Sequence, residues 1–375
     1  MSITRLDGVV QKISRQHCGK FAYLLPALLT ATVALTACSP KKAPSTNQTG
    51  TGPANTDTSQ QVTVHLAYFP NITHAVALVG TANGEFAKAF GPGVKIEEQS
   101  FNAGPSEIEA LFAEGVDIGY IGPGPAINGF LKSKGKALTI IAGASSGGAG
   151  LVVRDDAGVT DVKSLAGKKV AVPQTGGTQD ISLRHALQIA GLNSTDKGGN
   201  VSVLPVTPAD TLTLFQKKEL DAAWVTEPWI SRLVKEGHAS LKIDERDLWA
   251  QKRFATTVVI VRNGFLKEHP DLVAKFLTAH VQTVDWIGTH PDEAAKLVGD
   301  QIKKLNGKSL PPDILKSSFS RTDFTYDPLK ETVLTFADWS KSLGYLKDDR
   351  SALGALIDTT RLNTALKGLN KPAVP

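Results

Sequence analysis

The chain has 375 residues, 41% of them hydrophobic, with 41 Lys and Arg against 36 Asp and Glu and a formal net charge of +5. Without a polybasic run, that balance describes an ordinary solvated surface and speaks against nucleic-acid binding. The two cysteines, Cys18 and Cys38, precede every folded element read below, which excludes disulfides, cysteine-held metals and a thiol nucleophile from the folded part.

Arg5, Lys12, Arg15 and Lys20 form a basic n-region, and residues 21–37 are an uncharged, mostly apolar run ending in Leu35, Thr36 and Ala37 before Cys38. This is the pattern of a bacterial lipobox, whose cysteine thiol accepts diacylglycerol before cleavage makes it the new amino terminus. The run is interrupted by Pro26 and is short against the roughly 20 residues that a spanning helix needs. Residues 1–37 are therefore expected to be a lipoprotein signal peptide, Cys38 the lipidated residue, and residues 38–61 a disordered tether rich in Ser, Thr, Pro, Asn and Gly. Removing the leader takes away four basic residues and one acid, so the charge falls to +2. The 338 residues that remain are enough for two lobes, each with its own core.

From Val62 onward, short aliphatic or β-branched runs alternate with capped helical patterns, an α/β arrangement. A strand is expected over 62–67, after which Asn71, Ile72, Thr73 and His74 open a helix to about residue 81. Residues 101–104 lead to Ser106, read as a helix cap with Glu109 completing a capping box and Gly115 ending the helix. A strand over 117–121 runs into Gly122, Pro123, Gly124 and Pro125 and a helix that stops at Gly135. Strands follow over 138–142 and 170–172, and Thr175, Gly176, Gly177, Thr178, Gln179 and Asp180 open a helix closing at Gly191. Residues 201–205 lead to a Thr207 cap with Pro208 in the first turn, and 222–225 lead to Thr226, Glu227 and Pro228, opening one more helix.

Six helices thus start just beyond the carboxyl end of a strand, where open α/β sheets bind their ligands. Each start presents unpaired backbone N–H groups and the positive end of a helix dipole. Several aimed at one point would hold a monoanion, and they would do so without a cation, since no Lys or Arg falls inside these turns. Taken singly, a cap residue or a turn glycine is only backbone geometry. Their number and order carry the reading.

The runs YFPNITHAVALVG, FNAGPSEIEALFAEGVDIGYIGPGPAINGF, LAGKKVAVPQTGGTQD and KKELDAAWVTEPW resemble the substrate-binding proteins of the aliphatic sulfonate, taurine and nitrate ABC importers. The resemblance is continuous from Val62 to about His290 and weakest after Leu310. It implies an α/β, two-lobed type II periplasmic-binding-protein clamshell whose lobes are joined by two hinge strands and close over ligand. Lobe 1 would be 62–152 plus 256–375 and lobe 2 would be 153–255, with crossings at 151–154, after a flexible segment 145–150, and at 256–262.

Carried over turn by turn, the resemblance implies a ligand site at Asn71, Thr73 and His74, at Ser106, and at Gly122, Pro123, Gly124 and Pro125. The second lobe would add Thr175, Gly176, Gly177, Thr178 and Gln179 and then Trp224, Glu227 and Trp229, with the two tryptophans and Phe69 covering an apolar tail. His74 can be either a structural hydrogen-bonder or a ligand contact. Glu227 fits an anion site poorly, which points to a hinge, interlobe or cation-recognising role, such as holding the amino group of taurine. The implied protein is a monomeric, lipid-anchored solute receptor on the periplasmic or extracellular face, without cofactor, metal or reaction. Its partners would be a small anionic solute, most of all an aliphatic sulfonate or taurine, a permease and a separate ATPase subunit.

Other readings share parts of this pattern. Nitrate, bicarbonate or a thiamine-pyrimidine precursor would suit the same cleft, and pyrimidine-synthase-like enzymes are built on the same clamshell, although those look to need a cysteine-rich iron motif. A purely structural or adhesive lipoprotein would have no preformed cleft. Gly143, Ala144, Ser145, Ser146 and Gly147 match G-x-S-x-G, yet the run continues into a strand, where a nucleophile elbow must open a helix. Neither a zinc-protease nor a P-loop motif occurs.

Overall fold

The computed structural model describes residues 61–375; the expected signal peptide, the lipidated Cys38 and the tether lie outside the described residues. Eleven strands are present in them: β1 (Val62–Tyr68), β2 (Val94–Ser100), β3 (Ile118–Ile121), β4 (Leu138–Gly147), β5 (Ala149–Arg154), β6 (Lys169–Val172), β7 (Ser202–Pro205), β8 (Ala222–Thr226), β9 (Ala239–Asp244), β10 (Ala255–Arg262) and β11 (Thr322–Phe324). They form two sheets, ordered β11-β4-β10-β3-β1-β2 and β7-β6-β8-β5-β9. Apart from the short β11, the two follow one plan. In each, two neighbouring parallel pairs meet one antiparallel strand that the chain delivers from the other sheet: β10 beside β3 in the first, β5 beside β8 in the second.

The alternation of side chains along each strand explains why both sheets are covered on both faces. In β10, Val259 and Val261 enter one core with Leu66, Phe86 and Phe276, while Val258 and Ile260 enter another with Ile108, Ile127 and Phe336. In the second sheet, Val170, Val172 and Trp224 face one core and Ala171, Ala223 and Val225 face the other. Strands buried on two faces read as nearly continuous apolar runs, as in ATTVVIVR and LTIIAGASSG.

The passage between sheets differs from the expectation. Residues 145–150 are not flexible: Ser145 and Ser146 pair with both β10 and β11, and every residue from 145 to 150 is buried. The expected crossing at 151–154 falls inside β5, which pairs with β8 and β9 along its length. The chain changes sheets at Gly147 and Gly148, both at positive φ (75° and 65°), a conformation that L side chains rarely adopt. It returns through two short 3-10 turns into β10.

Within β4, Gly143 gives its N–H to Tyr326 O (2.8 Å) and receives the His280 Nε2–H on its carbonyl (2.8 Å). A Cβ at Gly143 would lie 2.0 Å from Asp327 O and 2.5 Å from the carbonyl carbon, both backbone atoms. Gly143→Ala should therefore destabilise the protein by at least about 1–3 kcal/mol, the usual cost of forcing extra carbon into a packed interior. Thermal unfolding would show it as a lowered midpoint; an unchanged midpoint would mean that the C-terminal segment is not docked on β4.

Candidate functional site

The turns that end the strands of both sheets converge on one small space. A cavity of about 40 Å³ is lined by Asn71, Thr73 and His74 from the first turn, by Asn102, Gly104 and Gly122 around the next two, and by Gly177, Thr178 and Gln179 from the second sheet. Thr226, at the end of β8, and Thr256 and Thr257, at the start of β10, complete its wall. Phe69, Asn71, Asn102 and Pro208 also line an adjoining vestibule of about 510 Å³, whose other walls include Phe101, Trp229 and Arg232. The Arg232 guanidinium lies over the Trp229 ring at 4.7 Å and is paired bidentately with Glu236.

The two lobes touch across the cavity. Thr178 Oγ accepts the Gly124 N–H (3.3 Å), and Ser106 Oγ donates to Gln174 Oε1 (3.2 Å). Gly122 has no room for a side chain, since a Cβ there would sit 2.2 Å from Thr178 Oγ. This is a closed clamshell.

Local chemistry sets each contributor. Asn71 precedes a 3-10 turn at 72–74, and its Oδ1 accepts the Thr73 hydroxyl (2.9 Å). His74 is 2% exposed, stacks on Phe69 at 4.3 Å and accepts the Phe69 N–H on Nδ1 (3.1 Å), so its ring proton sits on Nε2. Burial pushes its pKa down to about 3, which keeps the ring neutral. It is thus a structural hydrogen-bonder whose ring also lines the cavity. The helices Pro123–Lys132 and Thr178–Ile189 bring their first turns to the site, following Gly122 and Gly177 in extended conformation.

Several expected contacts are placed elsewhere. Ser106 is not a cap: Pro105 lets the helix begin at Gly104, with Ala103 at the N-cap, and Ser106 falls inside the first turn facing Gln174. Trp224 is 0% exposed, in a core with Leu151, Val170 and Leu187, and gives its indole N–H to Glu245 (2.7 Å). Trp224 shares its face of β8 with Thr226 but lies two residues back from the strand's end, so its ring packs in the core short of the cavity that Thr226 lines. Pro123, Gly124, Thr175 and Gly176 support the turns without lining the cavity, and the Gly176 N–H is given to Asp180 (2.8 Å).

Glu227 is 0% exposed and fully engaged. It accepts from the Ser231 N–H (3.0 Å) and hydroxyl (2.9 Å), from Ser318 (3.0 Å) and from Arg321 Nη1 (3.0 Å). Burial raises its pKa against the pull of Ser231, Arg321 and Ser318. Its role is to tie the end of β8 to the segment around β11, and it offers no carboxylate to a ligand's amino group. Sequence reasoning missed Asn102, Thr256 and Thr257, and named Thr226 only as the opening of a helix. The threonine pair opening ATTVVIVR carried a signal, because hydroxyls at the start of a doubly buried strand need a reason.

This geometry agrees with the comparisons to known proteins. The NMT1-like family matches residues 57–299. The chain belongs to the NMT1-like family. A protein of Bacillus subtilis (strain 168) named for binding aliphatic sulfonates is 28% identical over 296 residues, covering 77% of this chain and 84% of that protein. The taurine-binding periplasmic protein of Escherichia coli (strain K12) is 26% identical, covering 62% and 69%. Among solved structures, the periplasmic nitrate-binding protein NrtA from Synechocystis PCC 6803 superposes with a TM-score of 0.71 at 17% identity, covering 84% of this chain and 90% of that one. The alkanesulfonate-binding protein SsuA from Xanthomonas axonopodis pv. citri, bound to MOPS, gives 0.64 at 19%, covering 76% and 95%. The NMT1-like chain therefore has the periplasmic-binding-protein fold, with which its two sheets agree.

Proposed function

We propose that the protein is the extracytoplasmic solute receptor of an ABC importer, anchored through a lipidated Cys38, which captures a small organic anion by closure of two lobes and catalyses no reaction. One observation carries this reading: a small, charge-free cavity at converging helix starts, opening onto a vestibule with aromatic walls. An anionic head would bind the N–H groups and hydroxyls of the cavity, and an apolar body would lie along Phe69, Phe101 and Trp229. The closed form is then what a permease would recognise, with ATP hydrolysed by another chain. The lobes would hinge at Gly147 and Gly148 and at the residues leading into β10.

An aliphatic sulfonate fits this division into head and tail. Taurine fits less well, because Glu227, the carboxylate expected to meet its amino group, is already committed to Arg321, Ser231 and Ser318. Nitrate would use the inner cavity alone, and the small volume of that cavity favours it as a second reading. An enzymatic role finds little support, since no Lys, Arg, Asp, Glu or Cys lines the cavity.

The test is thermal unfolding of the protein against alkanesulfonates, taurine, nitrate, bicarbonate and thiamine-pyrimidine precursors, with Thr178→Val as control. Saturating ligand should raise the midpoint by mass action on the native state. Thr178→Val should weaken the responding ligand by about 1–3 kcal/mol if its hydroxyl serves a desolvated charged oxygen. A shift only with the heterocycles would keep the receptor and change its ligand class. No shift with any of them would leave the receptor reading without support.

A further inference from the structure

The helix Thr178–Ile189 begins at the cavity and then meets the other lobe along a seam that leaves the cavity behind. Ile181, His185 and Gln188 share one face of it by helical spacing. Ile181 lies against Gly124, where an added Cβ would stand 2.7 Å from its Cδ1. His185 stacks on Trp339 at 4.0 Å, and Gln188 Oε1 accepts the Ser342 hydroxyl (3.2 Å). Trp339 and Ser342 belong to the helix Lys330–Ser342, whose Val333 and Phe336 share a core with Phe130, Ile140 and Val258 of the first lobe.

At the cavity end of this seam, one oxygen serves both lobes. Asp180 is 0% exposed, and its Oδ2 accepts the Gly176 N–H (2.8 Å) from its own turn and the Tyr345 hydroxyl (2.5 Å) from the other lobe. Its Oδ1 accepts Arg184 Nε (2.7 Å), which holds the carboxylate in place from the far side. Gly176, at φ 76°, leads directly into Gly177 and Thr178, which line the cavity, whereas Asp180 and Tyr345 do not. Burial and Asp180 both raise the Tyr345 pKa, so the phenol keeps the proton that it donates.

We propose that Tyr345 is a positioning residue for solute capture, a latch that closes on Asp180 as the lobes meet and steadies the 175–178 turn from behind. The latch rests on the receptor reading above. Lobes that part far enough to separate Thr178 from Gly124 also draw Asp180, two residues on in the same turn, away from Tyr345. A bond made only in the closed form enlarges the binding-competent population and so tightens binding. Because it forms without touching the solute, it favours every solute by the same factor.

The experiment titrates the full chain and its Tyr345→Phe variant with hexanesulfonate and with nitrate by calorimetry, together with stopped-flow dissociation and the unliganded unfolding midpoint. The variant removes one oxygen and keeps the ring. Losing a hydrogen bond to a carboxylate should weaken each anion that binds the wild type by about tenfold or more, and equally for both. The loss should appear as faster dissociation, with the unliganded midpoint unchanged. Affinity retained within about twofold would show that the bond persists when the lobes part, and would overturn the latch while leaving the receptor standing. Loss factors that differ between the two anions by more than about threefold would overturn it as well, because Tyr345 would then sense the solute itself. If the wild type binds neither anion, nor any other solute in the unfolding screen, the receptor reading fails and the latch with it.

Discussion

Replacing Glu107 with Met should stabilise the protein by about 1–3 kcal/mol at neutral pH, the penalty attached to an unsatisfied buried polar group. Glu107 is 0% exposed, and neither carboxyl oxygen meets a donor among the described residues. It lies between the helix Gly104–Phe112 and β3, with Oε1 so close to Gly119 that a Cβ there would stand 2.1 Å away. Burial raises its pKa well above the ordinary 4.5. A raised folded-state pKa contributes stability that is complete below the unfolded value and is lost as pH rises through the folded value. The wild type should therefore weaken as pH climbs from about 4.5, and Glu107→Gln, which cannot ionise, should remove that part of the slope. Urea unfolding at about pH 4.5 and 8 would measure both variants. Parallel behaviour of wild type and Glu107→Gln would show that the carboxyl is not held neutral.

Adding one methyl group at Gly122 should cost ligand affinity by about 10- to 100-fold while sparing the unliganded protein. The new Cβ would lie 2.2 Å from Thr178 Oγ and 3.2 Å from its Cβ, atoms that belong to the opposite lobe. Overpacking of this kind costs about 1–3 kcal/mol, here charged only to the closed form. A ligand that needs closure then loses affinity by the same amount. Titration of Gly122→Ala with the ligand found for the wild type, together with its unliganded unfolding midpoint, would separate the effects. A lowered midpoint with unchanged affinity would mean that Gly122 matters for folding and not for closure.

The strands with β-branched or aliphatic runs, such as ATTVVIVR and AAWVT, were legible because burial on both faces leaves the sequence little choice. β2, VKIEEQS, was not: it is an edge strand whose outward residues are charged, so its sequence reads as surface. Segment 145–150 looked flexible from its Ser and Gly content. The small residues are there because β10, β11 and the C-terminal segment press against the strand from several sides.

In the site, the turn residues Asn71, Thr73, His74, Gly122 and Thr178 could be named because helix starts are locally encoded. Partnerships across long stretches of chain could not. Nothing near Glu227 announces Arg321, 94 residues later, and nothing near Thr257 shows that its hydroxyl will be left unpaired. Trp224 was misplaced because the cleft lies beyond the end of β8, where Thr226 meets it, while Trp224, two residues earlier on the same face, is buried in the core.

Capture by closure is the central claim, and small-angle X-ray scattering of the protein with and without a binding anion such as hexanesulfonate tests it most directly. The radius of gyration should fall on saturation, and the liganded curve should match the closed structure described above. An unchanged curve at a concentration where calorimetry shows full binding would contradict the account, because the anion would then be held without the second lobe.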